Sequence, residues 1–118
     1  MNRGLPVSYL MRYFTQRGVE WTLHEQVRSM VHLFPLNLVR PWPALPLADL
    51  ILLRNVLIYF NPDVRREVLW RAAQQLRPGG YLMLGGAETM IDAGLPLQPV
   101  FIEKSLFFRR TSGPKEAR

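Results

Sequence analysis

Cysteine is absent from the 118 residues, so neither a disulfide nor a thiolate metal site is available, and the composition fits a reducing compartment. Histidine is nearly absent as well. His24 and His32 fall on different elements with no partner at metal spacing, so they read as structural or surface residues. No G-x-G-x-x-G, P-loop, G-x-S-x-G or H-E-x-x-H occurs, which removes most ordinary enzyme assignments, and no metal ligands cluster. Long apolar runs are missing too. The longest, around Leu45 to Leu53, is broken by Asp49 and falls far short of a bilayer span; the amino terminus carries no charged-then-apolar signal pattern. Membrane insertion is therefore not expected, and the cytoplasm is the expected location.

Lysine is scarce: 13 of the 15 basic residues are arginine, and the net charge is +6. Arginine suits phosphate, carboxylate or nucleic acid partners. The arginines are spread from Arg3 to Arg77, and only Arg109 to Arg118 reads as a basic tail, so nucleic acid binding is not expected. With 48% hydrophobic and 20% charged residues, the chain has the composition of a soluble globular protein, and its length fits one domain or part of one.

Leu5, Tyr9, Leu10, Tyr13 and Phe14 recur at helical spacing and predict a short helix from about Pro6 to Thr15, with Ser8 as a local cap and Gly18 as its stop. Val19 to Leu23 alternates as a strand, and Glu25 to Met30 reads as one helical turn. Val31-His32-Leu33-Phe34 is a compact apolar run closing at Pro35, which predicts a strand with Asn37-Leu38 just beyond its end. Pro35, Pro41, Pro43 and Pro46 then make a stiff loop.

Leu50-Ile51-Leu52-Leu53 is continuous in apolar character, as a central parallel strand covered on both faces should be. Beyond it, Asn61 is placed to cap a helix, Pro62 suits the first helical position, and Asp63 complements the positive end of the dipole. Val64, Val68, Leu69, Ala72 and Leu76 continue at helical spacing to Arg77, where Pro78-Gly79-Gly80 predicts termination. Tyr81 to Leu84 reads as the next buried strand, ending at Gly85-Gly86, where a ligand or another backbone can approach closely. Strand, helix and strand over about 35 residues form a βαβ unit. Val100 to Ile102 and Leu106 to Phe108, separated by Glu103-Lys104-Ser105, predict an antiparallel hairpin at one edge.

Ligands of open α/β sheets bind beyond the carboxyl ends of the strands, where Arg54-Asn55 falls. Arg54 offers a planar donor fork for a carboxylate, or braces the loop through backbone carbonyls. Asn37 and Asn55 carry amides able to read an adenine edge or a carboxylate, or they only cap turns. The Tyr59 phenol either hydrogen-bonds a substrate, or lines a pocket, or is a packing residue with one satisfied hydroxyl, and Phe60 reads as core. Glu88 faces the same crevice or is solvated.

Arg54-Asn55-Val56-Leu57-Ile58-Tyr59-Phe60, followed by Leu76-Arg77-Pro78-Gly79-Gly80-Tyr81-Leu82-Met83-Leu84-Gly85 and Glu88, resembles the CheR-type chemotaxis receptor methyltransferases. Asn2-Arg3-Gly4-Leu5-Pro6, Arg12-Tyr13-Phe14 and Asn37-Leu38 match the same family in the same order, so the resemblance extends to about residue 110. It implies an α/β fold: a partial class I (Rossmann-like) methyltransferase sheet with an antiparallel carboxyl-terminal hairpin. It also implies S-adenosylmethionine as cofactor and methyl transfer to glutamate side chains on the cytoplasmic domains of chemoreceptors or of a related signalling protein. By motif, Asn37, Leu38, Arg54 and Asn55 would contact the cofactor, and Tyr59 would lie near the transferred methyl. Such a displacement asks the protein for alignment and a dry pocket.

The resemblance also implies that a helical domain, two further strands, a small-residue cofactor loop and a ribose-holding acidic residue precede Met1. The isolated chain is accordingly expected to lack activity. Residues 1–110 would be the carboxyl-terminal part of the methyltransferase domain, with 15–30 a reduced β-subdomain where Gln16-Arg17-Gly18-Val19 is a short connection, and 111–118 a disordered basic tail. An apolar sheet edge left bare would favour self-association. The competing reading is a non-catalytic interaction module derived from such an enzyme.

Overall fold

The computed structural model describes residues 5–86 and 94–111. Asn2, Arg3 and Gly4 of the family motif, Glu88, and the tail beyond Thr111 lie outside the described residues. The chain divides into two compact units, Met1–Pro35 and Leu36–Arg118.

In the first unit, helix α1 spans Val7–Tyr13 and buries Leu10. Pro6 holds the cap position and Ser8 lies inside the helix, so the expected Ser8 cap is not formed. Gly18 does not stop the helix either. Phe14 already turns to extended backbone (φ −123°, ψ 155°) because it opens strand β1, Phe14–Arg17, which pairs antiparallel with β2, Glu20–Leu23. Gly18, at φ +63°, supplies the left-handed backbone of the hairpin turn, and Gln16 Nε2 donates to its carbonyl at 3.1 Å. One helical turn, α2 over Glu25–Arg28, follows with a Glu25–Arg28 ion pair.

The strand expected over Val31 to Phe34 does not form. An apolar run becomes a strand only where a neighbour satisfies its backbone, and this one carries no ladder; Leu33 is 92% exposed. Asn37 therefore follows an irregular segment rather than a strand.

The second unit is a four-stranded sheet in the order β3-β4-β6-β5, with β3 Ala48–Leu53, β4 Leu76–Leu84, β5 Leu97–Ile102 and β6 Ser105–Arg110. β3 and β4 are parallel and connected by helix α3, Pro62–Gln75, so the βαβ unit forms as expected. The hairpin forms too, and its second strand inserts between β4 and β5. Asn61 caps α3, its Oδ1 accepting from Val64 N at 2.9 Å, with Pro62 in the first turn. Val68, Leu69, Ala72 and Ala73 of α3 pack on Leu53, Leu82, Leu84 and Phe108 as the core. Each buried large aliphatic side chain contributes about 1.5–3 kcal/mol.

Two expectations need correction here. β3 is an edge strand rather than a central one, because it has a neighbour on one side only among the described residues. Ile51 and Leu53 face the core while Leu50 (52%) and Leu52 (62%) are exposed on the other face. α3 also ends at Gln75, before Arg77 and before the Pro-Gly-Gly expected to stop it. Pro78 disfavours the helical region for Arg77 before it, and Leu76, one residue earlier, is already extended (φ −84°, ψ 146°) and fully buried as the first residue of β4. Arg77 instead pairs with Asp49 at 3.2 Å, an exposed contact worth little. Pro78-Gly79-Gly80 lies inside β4 as an irregularity, across which the pairing moves from Ala48↔Leu76 to Leu50↔Tyr81 and Gly79 adopts φ +84°.

The proline-rich loop is pinned to α3. Gln75 Nε2 donates to Leu45 and Pro46 carbonyls at 3.0 and 2.9 Å, and Arg71 Nη1 donates to Leu38 O at 3.5 Å.

Candidate cofactor crevice

At the carboxyl end of β3 the buried side of the strand finishes with Leu53, and Arg54 and Asn55 emerge exposed. Asn55 sits at φ +60°, a left-handed conformation that asparagine tolerates better than most residues. That kink lets the chain dive back so that Leu57, 1% exposed, anchors a 3₁₀ turn over Leu57–Tyr59 in the core. Tyr59 rides on this turn and is 79% exposed, while Phe60 packs half-buried against the core, as its sequence suggested.

Arg54 reaches sideways to β4, where Nη1 lies 3.5 Å from Met83 Sδ. Between the two strand ends and β6 opens a cavity of about 200 Å³ lined by Arg54, Met83, Leu84, Gly85, Gly86, Ser105, Leu106 and Phe108. A Cβ placed on Gly86 would meet no atom of the described residues within 4 Å, so there is space among them beside this glycine at the cavity mouth. The lining is apolar apart from Ser105 and the Arg54 guanidinium. A thioether is a poor hydrogen-bond acceptor, so the planar donor fork retains capacity for a carboxylate.

Of the five residues singled out by sequence, Arg54 alone lines this cavity. Asn55 and Tyr59 stand on the loop that continues from it. Asn37 uses its Oδ1 to accept from Val39 N at 3.2 Å, closing a local turn, and the Leu38 carbonyl accepts from Trp42 Nε1 at 3.1 Å and from Arg71. The sequence alone does not point to Met83, which meets Arg54 through the β3–β4 pairing, or to Ser105, Leu106 and Phe108, which join the cavity only through the insertion of β6 beside β4. The Gly-Gly after an apolar strand was the one local signal for that wall.

Comparison with known proteins gives the family. Residues 1–105 match the family model described as "CheR methyltransferase, SAM binding domain". The chain is 42% identical over 110 residues to "Chemotaxis protein methyltransferase 1" of Pseudomonas aeruginosa, covering 92% of this chain and 40% of the relative. It is 40% identical over 95 residues to "Chemotaxis protein methyltransferase Cher2" of Pseudomonas putida, covering 80% and 34% of the two chains. A "Chemotaxis protein methyltransferase" of Vibrio anguillarum is 37% identical over 91 residues, covering 76% and 33%. The chain thus spans two-fifths or less of the length of these relatives. The matching model describes a domain whose cofactor is S-adenosylmethionine, as the motif resemblance implied. With the Arg-Asn strand end, the glycine-lined cavity and a model match over residues 1–105, this chain belongs to the CheR methyltransferase family.

Proposed function

We propose that this chain supplies one wall of a site that methylates glutamate side chains on chemoreceptor cytoplasmic domains, or on a related signalling protein, with S-adenosylmethionine in the cytoplasm. The observation that carries the reading is the convergence of Arg54, Gly86 and Ser105, from β3, the end of β4 and β6, on one apolar cavity.

The residues fit part of such a cofactor. Ligand pockets occupy about 300–1,000 Å³, so the smaller cavity here accommodates one end of the molecule rather than all of it. The Arg54 fork suits a carboxylate, and the space beside Gly86 admits close approach. When bound, the cofactor supplies an activated methyl group on a sulfonium. Arg54 and Asn55 would hold it on the β3 side, Asn37 and Leu38 would contact it from the proline-rich loop, and Tyr59 would orient the incoming carboxylate by its hydroxyl. Met83, Leu106 and Phe108 would keep water from the reacting centre.

In this reading residues 1–110 form the carboxyl-terminal part of a methyltransferase domain, 15–30 a reduced β-subdomain, and 111–118 a disordered basic tail. The 118 residues alone bind the cofactor weakly and do not turn over, because the cavity of about 200 Å³ is smaller than an ordinary ligand pocket. The outer edge of β3, with exposed Leu50 and Leu52, supports two related ideas: self-association, and the alternative of a non-catalytic interaction module.

A chimera in which this chain replaces the matching 40% of the Pseudomonas aeruginosa relative tests the main reading. It should transfer labelled methyl to a chemoreceptor cytoplasmic fragment as a base-labile ester. Failure to do so while the intact relative succeeds would contradict the assignment.

A further inference from the structure

We infer that Arg65 is a positioning residue that fixes the Tyr59-bearing turn to the first turns of α3, an inference that rests on the methyl-transfer role proposed for Tyr59. Arg65 stands in α3, and its Nη2 donates to the carbonyl of Phe60 at 3.1 Å. Its backbone N–H makes the ordinary first helical bond to Asn61 O at 2.9 Å, so what the arginine side chain adds is the bond to Phe60 O. Its Nε is buried, with no hydrogen-bond partner among the described residues.

A side chain that is 79% exposed takes its position from its backbone frame rather than from packing around it. For Tyr59 that frame is short: its N–H donates to Val56 O at 3.2 Å, and the Phe60 N–H donates to Leu57 O at 3.1 Å. Leu57 fixes the beginning of the turn by burial in the core. The end has half-buried Phe60 and the Arg65 guanidinium. The Asn61 cap holds the helix start but leaves the Phe60 carbonyl to Arg65. An apolar residue at 65 would remove the donor to that carbonyl, and with Nε buried and without a partner among the described residues the guanidinium directs its hydrogen bonding to the turn. Neighbouring Arg66 points elsewhere, its Nη2 lying 2.8 Å from where a Cβ on Gly94 would sit.

The test uses the full chain carrying 3-fluorotyrosine, with the Tyr59 ¹⁹F resonance assigned by Tyr59→Phe, together with amide hydrogen exchange. Arg65→Met should move or broaden the Tyr59 resonance and reduce protection of the Tyr59 and Phe60 amides about tenfold, as expected for a lost charge-assisted bond. Leu82 and Phe108 amides should be unchanged, and Arg65→Lys should restore most of the protection. If Arg65→Met does not fold, Arg65→Gln carries the same comparison. Unchanged Tyr59 and Phe60 protection, or a uniform loss across the sheet, overturns the inference. Methyl transfer does not enter this readout. Failure of the enzymatic reading would appear instead as an inactive chimera with the Tyr59 turn still held by Arg65.

Discussion

Arg54 and Met83, 29 residues apart in sequence, meet across the carboxyl ends of two parallel strands with Nη1 3.5 Å from the thioether sulfur. The contact orients a cation over an apolar cavity without neutralising it. Arg54→Ala should leave urea stability within about 0.5 kcal/mol, as for exposed positions generally. Gly86→Leu should likewise fold, since a Cβ there meets open space, yet fill the cavity mouth. Both variants should lose the spectral response to S-adenosylhomocysteine. A retained response in both would remove the cavity from the account.

Asn55 combines an exposed amide with a left-handed backbone, so its replacement by glycine and by alanine separates chemistry from conformation. Asn55→Ala should be about 1–2 kcal/mol less stable than Asn55→Gly, the cost of the left-handed conformation for a residue with a Cβ. Denaturant titration of the pair reads this directly, and equal stabilities would show that the kink carries no strain.

Gly80 lies where β4 bends beside β3. A Cβ there would come within 3.0 Å of Arg77 O, 3.1 Å of Asp49 O and 3.2 Å of Ala48 O, all backbone atoms that cannot swing aside. Gly80→Ala should cost about 1–3 kcal/mol by overpacking. A neutral result in thermal or urea unfolding would mean that the bend yields.

Local chemistry makes some of this legible in the sequence alone. Asn61-Pro62-Asp63 announces a helix start because cap, first-position proline and dipole act within four residues, and Asn61 does cap Val64. Arg54-Asn55 was readable as a strand end because an apolar run stops there. What escaped depends on distant neighbours. Among the described residues Val31 to Phe34 has strand composition but no ladder and β3 has central-strand composition but a neighbour on one side only, and Ser105 and Phe108 join the cavity only because β6 inserts beside β4. Pairing is a property of two segments, and composition reports on one.

Among the described residues the outer edge of β3 has no neighbouring strand, and Leu50 and Leu52 are exposed on one face of it. Light scattering of the chain should show concentration-dependent self-association, and Leu50→Lys with Leu52→Lys should shift it toward monomer. A monodisperse monomer at all concentrations in the parent chain would contradict the pairing.

The most direct test of the central claim is an amide ¹⁵N titration of the chain with S-adenosylhomocysteine. The account predicts weak, saturable shifts at millimolar ligand, centred on Arg54, Asn55, Gly85 and Gly86 and extending to Ser105. Shifts confined to another surface, such as the Asp63–Trp70 face of α3, or none at all, would contradict it.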